Sequence, residues 1–219
     1  MIVFSRRLFL ILPLLFVSAA AAPVYADPSG SWFTYRRIFK SSSPEFIEIR
    51  IQMNSNASTY EIRQLDEDPG ATSFEIGTAL RGKIFQLVSD LRYFKGQDLD
   101  VHRKIANLGE KTFRWDAAGE SSEVKFNYTL NTSAAQLLQI CEGLARQQEL
   151  IELLQRRMKY DRLGVNDALL QFEEALTKSE LPEPQRALPL LQQIANDDHF
   201  VEIARQRARA LAERLRHSG

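Results

Sequence analysis

His102 is the histidine that acids flank within a long polar connection, in the run Asp98-Leu99-Asp100-Val101-His102. Carboxylates close to an imidazole can orient its ring and stabilise its protonated form, which is what general acid–base catalysis needs. Asp98, Asp100 and His102 are therefore the candidate set for a hydrolase or ligand-processing enzyme, provided they line a concave pocket. The competing reading is a solvated loop histidine. His199 beside Asp197 and Asp198 reads as part of a helix start, and His217 lies close to the C-terminus. There is no His-Glu-x-x-His, no paired cysteine and no zinc-like carboxylate–histidine spacing, so no metal and no cofactor is expected.

The other candidates read as structure. Asp66-Glu67-Asp68 precedes Pro69-Gly70 and lacks the calcium-loop pattern, so it is an acidic turn. Gly109-Glu110-Lys111-Thr112 lacks the spacing of a phosphate loop, and no Gly-x-Ser-x-Gly elbow occurs. Tyr160-Asp161-Arg162 suits a helix-end ion pair. The sequons at Asn56, Asn127 and Asn131 are taken as chance matches. Cys141 is the single cysteine and lies in an apolar helical pattern, which predicts a buried, inert thiol and no disulfide-linked partner.

One charged feature stands out. In the last helical pattern Arg205, Arg207, Arg209, Arg214 and Arg216 oppose only Glu202 and Glu213. Such charge suits a helix C-terminus, and long Arg stems can cover apolar surface. Its functional reading is contact with an unknown acidic protein or an anionic envelope surface, with Arg205, Arg209 and Arg216 as the binding residues.

These groups belong to a chain of 219 residues, with 28 basic and 28 acidic side chains, 44% hydrophobic and 26% charged. That balance is ordinary for a globular protein and excludes a disordered acidic tail or a strongly basic nucleic-acid binder. The first 26 residues read as an export signal. Arg6 and Arg7 precede the apolar run Leu8 to Val17, and Val24-Tyr25-Ala26 offers a small-x-small cleavage site. Ser5-Arg6-Arg7-Leu8-Phe9-Leu10 resembles the core of twin-arginine signals, while the strongly apolar stretch suits the general secretory route equally. An uncleaved anchor helix is the alternative to cleavage. The expected location is periplasmic or extracellular, and export disfavours nucleic acid as a partner.

The elements that would position these residues fall into two halves. In 27–132, Trp32 to Lys40 is extended, and Ile47, Ile49, Ile51 and Met53 alternate with Glu48, Arg50 and Gln52. Thr59 to Leu65 and a short stretch at Phe74 to Ile76 continue the strands. Leu80, Ile84, Leu87, Val88 and Leu91 then change the period to that of a helix, with Thr78 as its N-cap. Lys111 to Asp116 and Val124 to Leu130 form a hairpin. The prediction is α+β: an antiparallel sheet of five to six strands covered by helix, followed by a C-terminal helical bundle.

This order, with Ser43-Pro44-Glu45-Phe46 opening a strand and a helix over 78–94 ahead of the hairpin, resembles small domains of unknown function in secreted bacterial proteins. The resemblance covers roughly residues 32–145 and rests on element order. It implies a secreted α+β module and carries over no functional residue.

Residues 133–219 are predicted helical. Ser133 and Gln136 suit a capping box opening a long helix over 133–162, with Gly164 as its left-handed stop. Asn166 caps the next helix, Pro184 opens a third that kinks at Pro189 or begins later than Pro184, and Asp197 or Asp198 caps the last. The resulting expectation is an exported, non-enzymatic interaction or scaffold module. Its predicted contacts are the Arg-rich helix and a sheet edge near 32–40. The alternatives are the His102 enzyme and an inhibitor that plugs a secreted enzyme with loop 40–45 or 66–72.

Overall fold

The computed structural model describes residues 30–40, 42–55, 58–117 and 119–217. The predicted export segment 1–26 and the sequon residue Asn56 lie outside the described residues. Six strands form one antiparallel sheet: β1 (Trp32–Ile38), β2 (Phe46–Gln52), β3 (Ser58–Arg63), β4 (Thr72–Phe74), β5 (Glu110–Ala117) and β6 (Glu120–Phe126). Among the described residues five α-helices accompany it: α1 (Thr78–Asp90), α2 (Thr132–Tyr160), α3 (Val165–Thr177), α4 (Leu188–Asn196) and α5 (Glu202–His217). The predicted α+β class, with helices following the sheet, is what the chain adopts.

Alternation decides the two faces of the sheet. Phe33 and Tyr35 of β1 pair with Ile51 and Ile49 of β2 on one side and with Trp115 and Phe113 of β5 on the other. All six point into the core, where Phe113 meets the rings of Phe33, Tyr35, Phe94 and Phe126 at 5.0–5.9 Å between centroids. The opposite face carries charges in alternating sign, with Arg36–Glu48, Arg114–Asp116 and Lys125–Glu110 pairs at 2.6–3.1 Å. Such exposed pairs contribute about 0–1 kcal/mol each and keep this face wet.

The strand order β4-β3-β2-β1-β5-β6 corrects the expectation of a sheet edge near 32–40. The first four strands form a meander that would leave one side of β1 open. The chain crosses over through α1 and the connection after it, and lays β5 against that side. β1 is thus central, with both of its backbone edges paired.

α2 has 29 residues and spans about 43 Å. It belongs to two cores. Leu137, Cys141 and Leu144 close the sheet core together with Ile84 and Val88 of α1 and Leu91 just after it. Leu150 and Leu154 enter a second core of Leu169, Phe172, Leu191, Ile194, Ala208 and Leu211. Asn131 caps α2, its side chain accepting from the Ala134 N–H at 3.0 Å, so the capping box proposed at Ser133 starts one position inside the helix. Gly164 has a φ of −74° and closes a 3₁₀ turn (Arg162–Gly164) instead of a left-handed stop. Asn166 lies within α3, where its side chain accepts from Arg207. The left-handed stop occurs one helix later, at Ser179 (φ 56°), where the Glu180 N–H reaches the Ala175 carbonyl. Pro184–Ala187 form a 3₁₀ turn and α4 begins at Leu188, so Pro189 starts a helix and kinks none.

One segment ties the cores together. Glu183 accepts the Gly77 N–H at the start of α1 at 2.8 and 3.0 Å, and Arg186 bridges Glu183 and Glu75. The N-terminus of α1 is therefore capped by a carboxylate from the helical half, and the proposed Thr78 cap is displaced by it. Where this segment crosses α2, Gly143 allows the approach: a Cβ there would lie 2.6 Å from the Glu180 carbonyl oxygen.

Candidate functional site

Between α1 and β5 the chain runs from 97 to 109 without regular structure, a length at which loops tend to serve function. Two side chains organise it. The Asp100 carboxylate accepts the backbone N–H groups of Asn127, Tyr128 and His102 at 2.9–3.2 Å. The Asn127 side chain accepts from the Leu108 N–H at 2.8 Å and donates to the Ala106 carbonyl at 3.0 Å. Lys111 completes the ring. Its ammonium donates to the carbonyls of Leu108, Gly109 and Asn127 at 2.9–3.2 Å. Burial pushes the pKa of this lysine down, and three carbonyl acceptors let it remain inside.

The loop so held has two sides. Its inner side and the end of β1 enclose a cleft of about 480 Å3, bordered by Phe39, Lys40, Asp100, His102, Glu110 and Lys125. Its outer side presents Ile105 (41% exposed) and Leu108 (45%), with Tyr128 (43%) and Leu130 (64%) following β6. Arg103 and Lys104 are exposed beside them.

The predicted set Asp98, Asp100 and His102 does come together, and two of its members border the cleft. His102 Nε2 lies 2.7 Å from Asp98 Oδ2, and Nδ1 lies 3.6 Å from Asp100 Oδ2. The hydrogen bond and charge of Asp98 hold the His102 pKa above its ordinary value, and His102 lowers that of Asp98. Nε2 is hydrogen-bonded to Asp98 and Nδ1 lies near Asp100 without a hydrogen bond to it, an arrangement that favours imidazolium on a ring largely open to solvent.

The three predicted binding arginines fall on one line of α5, at i, i+4 and i+11. Arg205 pairs with Glu202, Arg209 donates to the Ala195 carbonyl at 3.4 Å, and Arg216 is exposed. Arg207 and Arg214 point the other way, where Arg207 joins Asn166 and Glu173 and Arg214 donates to Thr177. The five arginines therefore split between two flanks of the buried stripe Ala204, Ala208, Leu211 and Leu215.

Among the described residues, Asp197, Asp198 and His199 are the group whose ligand atoms lie close enough for a metal. They form an ionic turn, with His199 Nδ1 at 2.7 Å from Asp197, and α5 begins beyond it at Glu202. Cys141 is fully buried, and burial pushes its thiol pKa well up.

Sequence reasoning missed Asn127, whose partners lie some twenty residues earlier in the chain, and Lys111, which joins the end of the loop to the Asn127 carbonyl sixteen residues later. It also missed a left-handed turn at Arg92, Tyr93 and Phe94, with φ of 51°, 53° and 64°. No glycine or asparagine marks those positions, and each such residue costs roughly 1–2 kcal/mol. The turn stands Tyr93 against Trp115 at 5.1 Å between ring centroids. Tyr93 and Phe85 also border a second cleft, of about 580 Å3, that runs along α1.

No family model matches the chain, and no curated protein matches it. Among the described residues, no helix is long and apolar enough to cross a membrane.

Proposed function

We propose that the protein is an exported, non-enzymatic interaction module of the periplasm or cell surface, and that loop 97–109 is its principal contact. One observation carries this reading. The loop is ordered by Asp100, Asn127 and Lys111, yet Ile105, Leu108, Tyr128 and Leu130 stay in water. Ordering a long loop costs conformational entropy, about 1–2 kcal/mol per residue for the backbone, which burial of apolar side chains ordinarily offsets. A preorganised apolar surface lowers the later cost of binding a partner. Arg103 and Lys104 at its border suit a protein with an apolar pocket and an acidic rim. The line of Arg205, Arg209 and Arg216 offers a second, weaker contact for an anionic surface.

Less supports the enzyme reading. His102 and Asp98 form a solvent-exposed ion pair, whose attraction raises the ring's pKa and keeps it protonated further up the pH scale. The inhibitor reading has less again, since Ser42 turns its hydroxyl inward onto the carbonyls of Phe39 and Pro44 and narrows what loop 40–45 can project.

The test is site-specific photocrosslinking of the full chain in intact cells, with the crosslinker at Leu108, at Leu130 and, for contrast, at Leu163. Discrete protein adducts from the first two positions are expected in the envelope fraction. Adducts only from Leu163, or from a cytosolic fraction, would remove the loop or the location from the proposal. Charge reversal of Arg205, Arg209 and Arg216 should weaken recovery of the same partner only partially.

A further inference from the structure

We infer that the cleft along α1 binds a neutral saccharide. It shares no bordering residue with the loop cleft, so this inference and the interaction reading stand or fall separately.

The outer face of α1 is unusual for this chain. Thr78, Gly82, Gln86 and Ser89 follow one another at i, i+4, i+8 and i+11, so they form a single stripe. The solvent face of a helix normally carries charges, and 26% of the chain is charged, yet this stripe has none. Arg81 is the one charged residue bordering the cleft among the described residues, and its guanidinium donates to the Ile76 carbonyl at 3.2 Å. What borders the cleft besides Arg81 is hydroxyl, amide, thioether and ring, with the Gln86 amide donating to the exposed Asp90 carboxylate at 2.9 Å.

Two departures from ordinary folding chemistry meet here. Gly82 occupies an exposed helical position where a Cβ would meet nothing within 4 Å, so packing does not require the glycine. The left-handed turn at Arg92–Phe94 places Tyr93, 36% exposed, at the end of the stripe with Trp115 behind it. Local choices that work against folding tend to collect at functional sites. Their joint effect is a shallow trough, polar along α1 and with Arg81 as its one charged border residue among the described residues, that ends on an aromatic ring. Hydroxyl and amide groups can both donate and accept hydrogen bonds, which matches a ligand rich in hydroxyls. The Tyr93 ring offers an apolar body for the C–H face of a sugar and a polar tip beside it. A cleft of about 580 Å3 with an aromatic wall has the size of a small-molecule site.

The test is titration of the full chain with neutral hexasaccharides of α- and β-linked glucose and of N-acetylglucosamine, and with an oligomer of uronic acid. Fluorescence is the readout, because Trp115 lies under Tyr93. At least one neutral oligosaccharide is expected to bind. Gly82→Leu, whose side chain enters open space and fills the trough, should weaken binding by about tenfold or more, the equivalent of about 1.4 kcal/mol. Tyr93→Ala should do the same and Tyr93→Phe should largely preserve it, with far-UV circular dichroism confirming the fold of each. Absence of binding by all three neutral hexasaccharides overturns the inference, as does binding that survives both Gly82→Leu and Tyr93→Ala. Binding of the uronic oligomer alone overturns it too.

Discussion

The sheet core is assembled from aromatic rings and isoleucines, whereas the helical core is nearly all leucine and alanine, with Phe172 and Phe200 its only buried rings. Their connections differ as much. A single 3₁₀ turn joins α2 to α3, while the sheet half carries a thirteen-residue irregular loop, a left-handed turn and a buried lysine. The helical half makes fewer such departures, among them Ser179 (φ 56°) and the buried Gln147 and Gln148. The sheet half holds features that folding alone does not call for, and both clefts considered above lie there. The difference teaches where to look: the helices read as support, and the irregular side of the sheet as the working surface.

The sharpest way to break this contrast is to truncate one ring in each core. Phe113→Ala should cost close to 5 kcal/mol, because a hydrogen-bonded sheet cannot close around the cavity, whereas Phe172→Ala should cost nearer 3 kcal/mol as the helices shift inward. Urea unfolding with an unchanged slope measures both, and a larger loss at Phe172 would reverse the ranking. Glu183→Ala should cost about 1–3 kcal/mol by leaving the Gly77 N–H unmet. It should also separate the halves into two thermal transitions. One sharp transition in that variant would show the shared helix alone to be sufficient coupling. Gly82→Ala should stabilise by about 1 kcal/mol, seen as a raised Tm, since the new methyl group meets no neighbour.

The smallest effect concerns His102. Its pKa is raised in the folded chain, so the Asp98–His102 attraction is present below the unfolded value near pH ~6.5 and is lost as pH rises through the higher folded value. An NMR titration should place its midpoint above that of a free histidine. Asp98→Asn should bring it down. A midpoint at or below the free value would show that the ring is not held by its carboxylates.

How much of this was legible follows from distance along the chain. The alternation of Ile47, Ile49 and Ile51, or of Val124 and Phe126, is local and reads directly as strand. The central place of β1 does not, because Tyr35 meets Phe113 only after 78 residues of intervening fold. The α1 cap was missed for the same reason: its donor Gly77 and acceptor Glu183 are 106 positions apart. The left-handed turn was hidden differently. Arg92, Tyr93 and Phe94 favour other backbone conformations, and they are held there by the packing of Tyr93 and Phe94 against the sheet and by the Ser122 hydroxyl, which donates to the Tyr93 carbonyl. At the candidate site, the carboxylates around His102 were visible as a spacing. That the same loop is a scaffold for an apolar surface depended on Asn127, whose strand-like neighbours concealed it.

The long helix α2 has a mechanical consequence. A straight rod of about 43 Å begins beside Leu130, at the loop surface, and ends beside the exposed Tyr160 and Leu163. Because both cores grip it, neither half can tilt without carrying the rod along. The helix spans both cores like a strut and sets the distance between the loop surface and the far tip.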